Sequence, residues 1–228
     1  AGFKGVLQPA GLSAWQRELS KRPGLVEQLT DQGVANMLLS LGTLTESAPQ
    51  LARVLDVQLA GRLLQHALCF ARAASGNADL LARHAANVLY GAALLGLQMC
   101  KAQVAALISA IQRAPGGLGR ADVVQVLLAS QRFMERDSRL RQEGELEGWR
   151  PEVDPHNIYY PGNQLMGLLL ERACELIQQR HLCQREASHI LGACGFLGYL
   201  PSEVALKKLM AGGLRLLYNS TCCNDVGT

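Results

Sequence analysis

The sequence predicts an all-α fold, a short α-solenoid of about four stacked helical hairpins, and three observations predict it. The first is a weak internal repeat in the 228 residues. Val34-Ala35-Asn36-Met37-Leu38, Ala85-Ala86-Asn87-Val88-Leu89, Val123-Val124-Gln125-Val126-Leu127 and Ala187-Ser188-His189-Ile190-Leu191 lie over one another. In the same register a small residue follows (Ser40, Gly91, Ala129, Ala193), then a large apolar one (Leu44, Leu95, Phe133, Leu197). Self-similarity of this kind marks a stacked architecture. The second is composition: hydrophobic residues make up 49% but aromatics only 5%, so Leu and Ala carry the apolar content. That favours helices packed through small side chains over a sheet rich in Val, Ile and Tyr. The third is punctuation, because Pro and Gly interrupt apolar runs of helical spacing.

Each element follows in order. Residues 1–11 read as an irregular arm containing Gly2, Gly5, Pro9 and Gly11. Ser13 is placed to cap a short helix from Ala14 to Lys21, which Pro23-Gly24 stops. Leu25 to Leu44 holds the first repeat helix. Pro49 opens a long partner helix to about Ala74, with Leu51, Val54, Leu55, Leu59, Leu63, Leu64 and Leu68 on its apolar side. Ser75-Gly76-Asn77 turns the chain into the second repeat helix, Asp79–Gly96, and its partner, Lys101–Arg113. Pro115-Gly116-Gly117 breaks the chain before the third repeat helix, which runs from near Arg120 to about Met134. An inserted loop at about 135–162 delays its partner to Asn163–Arg180. The fourth repeat helix takes Gln184–Leu197, and Ser202 caps a final helix to about Leu217. The chain thus divides into an N-terminal arm and short helix (1–24), a helical-repeat domain (25–217) and a tail (218–228). Each hairpin has an apolar face that it cannot bury alone, which drives stacking.

Composition and motif content narrow the function. A formal net charge of +3 is too small by itself to argue for nucleic acid. No run reaches the roughly 20 uninterrupted apolar residues of a membrane span. Seven cysteines, five of them inside apolar helical segments, read as reduced buried thiols. Cys174, His181 and Cys183 are near one another but lack the paired spacing of a zinc site. GxxxxGK[ST], HExxH and GxSxG are all absent. Gly116-Gly117-Leu118-Gly119 has neither the preceding strand nor the lysine of a phosphate loop. His66 and His84 read as satisfied or solvated histidines, and His156 gives no catalytic pattern. The expectation is therefore a non-enzymatic chain with no cofactor and no metal.

A polar column is the stronger signal. Asn36, Asn87, Gln125 and His189 share one repeat position, although Asn is a poor residue for a helix interior. Either they line a surface that meets base edges or peptide groups, as in helical-repeat RNA readers, or they bond to neighbouring turns and fix the stack. Arg83 and Arg185 stand two residues before their repeat starts, and Arg120 stands three before its own. On one face they would meet phosphates. Trp149, Tyr159 and Tyr160 in the inserted loop are aromatic types enriched at interfaces, and they equally suit a loop pinned back onto the stack.

Residues 85–96 (Ala85-Ala86-Asn87-Val88-Leu89-Tyr90-Gly91-Ala92-Ala93-Leu94-Leu95-Gly96) resemble the first helix of octotricopeptide-type repeats. So does the segment from Ala187 to Gly198, and similar helices occur in FAST-kinase-like and RAP-domain proteins. The resemblance covers roughly residues 30–217. It implies an α-solenoid of an organelle that contacts RNA or ribonucleoprotein, as in a subunit of a mitochondrial ribosome. Asn36, Arg83, Asn87, Arg120, Gln125, Arg185 and His189 would then face the RNA, in a mitochondrion or a plastid. The alternative is a protein–protein scaffold of a large organellar complex with no RNA contact.

Overall fold

The computed structural model of the chain describes residues 9–72, 77–142 and 157–211. The fold is all-α, with no strand among the described residues. The helices are α1 (Pro9–Ser20), α2 (Pro23–Glu27), α3 (Asp31–Ser47), α4 (Pro49–Ala52) and α5 (Val57–Arg72). There follow α6 (Ala78–Leu94), α7 (Lys101–Arg113), a 3₁₀ turn (Pro115–Gly117), α8 (Arg120–Gln142), α9 (Asn163–Gln178) and α10 (Gln184–Phe196). A last helix, α11, covers 203–211.

Several expected helices divide or shift, and each change has a local cause. The first begins at Pro9 rather than Ala14, because a proline needs no intrahelical partner for its missing N–H in the first turn. The expected Leu25–Leu44 helix splits at Thr30, whose hydroxyl accepts the Gly33 N–H at 3.1 Å and starts α3. The expected Pro49–Ala74 helix also splits. Asp56 Oδ1 accepts from the Gln58 and Leu59 N–H groups, both at 3.0 Å, and so starts α5. Gln16, buried on α1, holds this break: its amide donates to the Val54 carbonyl at 2.9 Å and accepts from the Asp56 N–H. Otherwise those backbone groups would be buried without partners. The third repeat helix runs past Met134 to Gln142, so the expected insertion begins as helix.

The four repeat helices lie side by side in chain order: α6 packs between α3 and α8, and α10 packs on α8. Their partners follow the same order, with α5 against α7 and α7 against α9. The core between them is Leu- and Ala-rich, with Leu38, Leu63, Ala86, Leu107, Leu127, Leu169 and Ile190 nearly or fully buried. The α3–α6 contact is the closest. A Cβ on Gly91 would stand 2.7 Å from the Leu38 carbonyl carbon, and one on Gly42 would stand 2.7 Å from the Leu94 Cβ. At Gly91 the small repeat position therefore faces the preceding repeat helix. Ser40 holds that position in α3, which has no repeat helix before it, and Ser40 is exposed. Arg132 of α8 ties the same three helices, reaching over the Tyr90 ring of α6 to an ion pair with Glu46 of α3.

These contacts fix the sign of two glycine substitutions. Gly91→Ala forces α3 and α6 apart against backbone atoms and should destabilise by about 1–3 kcal/mol. Gly192→Ala, on an open face of α10, meets nothing within 4 Å and should stabilise by about 0.5–1 kcal/mol. Denaturant unfolding of the two variants against the parent chain checks both.

Candidate functional site

The N-terminal halves of the repeat helices carry a series of polar links between neighbours. His84 Nδ1 of α6 lies 2.9 Å from Asp31 Oδ2 of α3. Arg83 of α6 lies 3.3 Å from Asp122 Oδ2 of α8, which also accepts the Gly119 N–H at 2.7 Å. Arg120 of α8 lies 3.4 Å from Glu186 Oε1 of α10, whose other oxygen accepts the Cys183 N–H at 2.7 Å. The first task of Arg83 and Arg120 is thus to link consecutive repeats. Their side chains nevertheless remain 50% and 60% exposed, so each keeps donors facing solvent. Such exposed pairs contribute only about 0–1 kcal/mol, so a phosphate can draw on the same guanidinium groups at small cost. Arg185 is exposed and has no ionic partner among the described residues.

Arg83 and Arg120 also open onto one groove of about 410 Å³, which sequence reasoning did not anticipate. The 3₁₀ turn makes it. Gly117 presses so close on α6 that a Cβ there would stand 2.5 Å from the Asp79 Cβ. Arg172 Nε of α9 donates to the Leu118 carbonyl at 2.8 Å, which clamps the turn from the other side. Leu118 and Leu176 line the apolar part, and Arg83, Arg120, Arg172, Arg180 and His181 supply the basic part. Arg172, Arg180 and His181 lie outside the repeat register.

The polar column sits on the same row of helices. Asn36 is exposed, and Asn87, Gln125 and His189 are half-buried. None of the four side chains hydrogen-bonds to another described residue, and Gln125 Oε1 is buried without a partner. The bonds to neighbouring turns that would make this column a packing device are not found among the described residues. By contrast, His66 is satisfied by the Leu29 carbonyl at 3.0 Å and His84 by Asp31.

The inserted segment returns to the stack at Tyr159. Its ring stacks on Phe133 with centroids 4.5 Å apart, and its hydroxyl donates to the Met99 carbonyl at 3.1 Å. Tyr160 is half-buried and bonds Asn163 at 2.6 Å. Trp149 and His156 lie outside the described residues.

No group of His, Cys, Asp and Glu among the described residues could hold a metal ion, and no helix there is long and apolar enough to cross a membrane. No protein-family model, no curated protein and no solved structure matches the chain.

The cysteines differ sharply in environment. Burial pushes the Cys194 thiol from its ordinary 9.0 up to about 11, and burial likewise raises Cys174, while Cys69 and Cys100 are exposed. A thiol raised in the folded state favours folding fully below about pH 9, and that contribution is lost as pH rises through about 11. At neutral pH, iodoacetamide should label Cys69 and Cys100 in the native chain, while Cys174 and Cys194 should react only on unfolding. Peptide mapping of the labelled sites checks this.

Proposed function

We propose that the chain is a non-enzymatic helical-repeat module that binds single-stranded RNA, as part of an organellar ribonucleoprotein such as a mitochondrial ribosome. One observation carries this reading. Asn36, Asn87, Gln125 and His189 occupy one repeat position and leave their hydrogen-bonding groups without partners among the described residues. Polar side chains repeated on adjacent helices suit the edges of splayed bases. The neighbouring arginines suit the phosphates between those bases, because each carries a permanent charge and a fork of donors. Arg83 and Asn87 are four residues apart on α6, as are Arg185 and His189 on α10, so each pair shares one helix face. The octotricopeptide resemblance points to the same ligand and to an organelle.

A second reading, a protein–protein scaffold, has its own support. Leu200, Val204 and Met210 are 86%, 65% and 52% exposed at the end of the stack. Exposed apolar side chains of this size suit contact with another protein.

Binding of single-stranded RNA across a salt series separates the two. With Arg83, Arg120 and Arg185 all changed to Ala, affinity should fall for every sequence and the salt dependence should flatten. With Asn87, Gln125 and His189 changed to Ala, sequence preference should relax while the salt dependence stays. An intact chain that binds no RNA at low salt favours the scaffold.

A further inference from the structure

Three helices of this fold end in the same way. After α6, α9 and α10 the chain turns through a residue with left-handed backbone: Gly96 at φ 64°, Arg180 at φ 59° and Gly198 at φ 64°. The hydrogen bonds repeat as well. The next residue's N–H returns to the helix in each case, from Leu97 to Ala92, from His181 to Leu176 and from Tyr199 to Cys194, at 2.8–3.0 Å. Glycine takes this conformation without penalty, whereas a side chain pays for it through its Cβ. Arg180 is the non-glycine residue with positive φ among the described residues. Strain retained at one site, where the same chain uses glycine twice, points to work done by the side chain.

The surroundings indicate what that work is. Arg180 lines the arginine groove and is exposed, and its side chain has no hydrogen-bond or ionic partner among the described residues. The other three lining arginines are engaged, Arg83 with Asp122, Arg120 with Glu186, and Arg172 with the Leu118 carbonyl and Glu175. One guanidinium is thus left free in a groove already lined with donors. We infer that this groove binds one phosphodiester of a single-stranded RNA backbone, with Arg180 as the principal contact and Arg83 and Arg120 flanking it. This rests on the RNA-binding reading and names where a phosphate sits. An arginine fork matches two phosphate oxygens at once. The groove is lined by α6, the 3₁₀ turn, the start of α8, α9 and the turn after α9.

The test uses the full chain and a fluorescent single-stranded RNA, with Arg180→Gly and Arg180→Asn beside the parent. Both replacements suit left-handed backbone and remove the charge. Arg180→Gly should raise the melting temperature by ~2–4 °C. Both variants should bind the RNA about tenfold more weakly at low salt, through loss of a charge-assisted contact. Their log–log salt slopes should fall by about 0.7, the increment for one phosphate on a single strand. An RNA whose linkages are neutral methylphosphonates should bind parent and variants equally. If the parent binds RNA and both variants bind with the same affinity and slope, the Arg180 site is wrong while the RNA-binding reading stands. If the parent binds no RNA, both fall. A lower melting temperature in Arg180→Gly would also overturn the inference, because Arg180 would then be holding the turn rather than a ligand.

Discussion

The close approach of α3 and α6 at Gly42 and Gly91 is the constraint on which the rest of the molecule depends. Each helix contributes one glycine that the other approaches: Gly91 lies against the Leu38 backbone, and Gly42 lies against the Leu94 side chain, so neither position has room for a Cβ. That distance sets the spacing of the row. It brings His84 to Asp31 at the helix starts, and it lets Arg132 span α6 to reach Glu46 on α3. The next steps along the row are linked by the pairs Arg83–Asp122 and Arg120–Glu186. Glycine sets the distance between α3 and α6, and the polar pairs align each repeat helix with its neighbour. Exposed ion pairs contribute little stability, so their value here is alignment more than energy.

The groove follows from that alignment. The chain passes from α7 to α8 through a turn held between Asp79 on one side and Arg172 on the other, and this leaves an opening bounded by three helices. Four arginines from separate parts of the chain converge there, and three of them have a structural reason to be near: a carboxylate for Arg83 and Arg120, a carbonyl for Arg172. Arg180 is the exception. Its backbone is in a conformation that glycine would hold at lower energy, and its side chain has no internal partner. Structure that stabilises itself would have placed glycine there, as it does at positions 96 and 198.

Much of the fold was legible in the sequence, and the failures have physical causes. The Lys101–Arg113 helix was found to the residue, because Cys100 and Pro115 bracket an unbroken apolar period. The long runs 25–44 and 49–74 hid their breaks, because Thr30 and Asp56 interrupt the backbone without interrupting the apolar spacing. Capping is a one-residue effect, and in the second case it also needs Gln16 from another helix. The small column holds at Gly91, which meets the α3 backbone, but its Ser40 member is exposed and the α3 glycine at that contact is Gly42. A repeat register cannot show that the first member has no predecessor. Arg83 and Arg120 were visible because they recur near the repeat starts, and periodicity is what a sequence displays. Arg172, Arg180 and His181 have no such recurrence. The one sign available for Arg180 was its place after α9, where the α6 and α10 ends carry glycine.

The most direct test of the account is ultraviolet crosslinking of bound single-stranded RNA to the intact chain, with the crosslinked peptides mapped. Crosslinks are expected on the row of repeat helices and its groove, within 83–87, 117–125 and 180–189. Crosslinks confined to the opposite row, within 57–72 and 101–113, would contradict it.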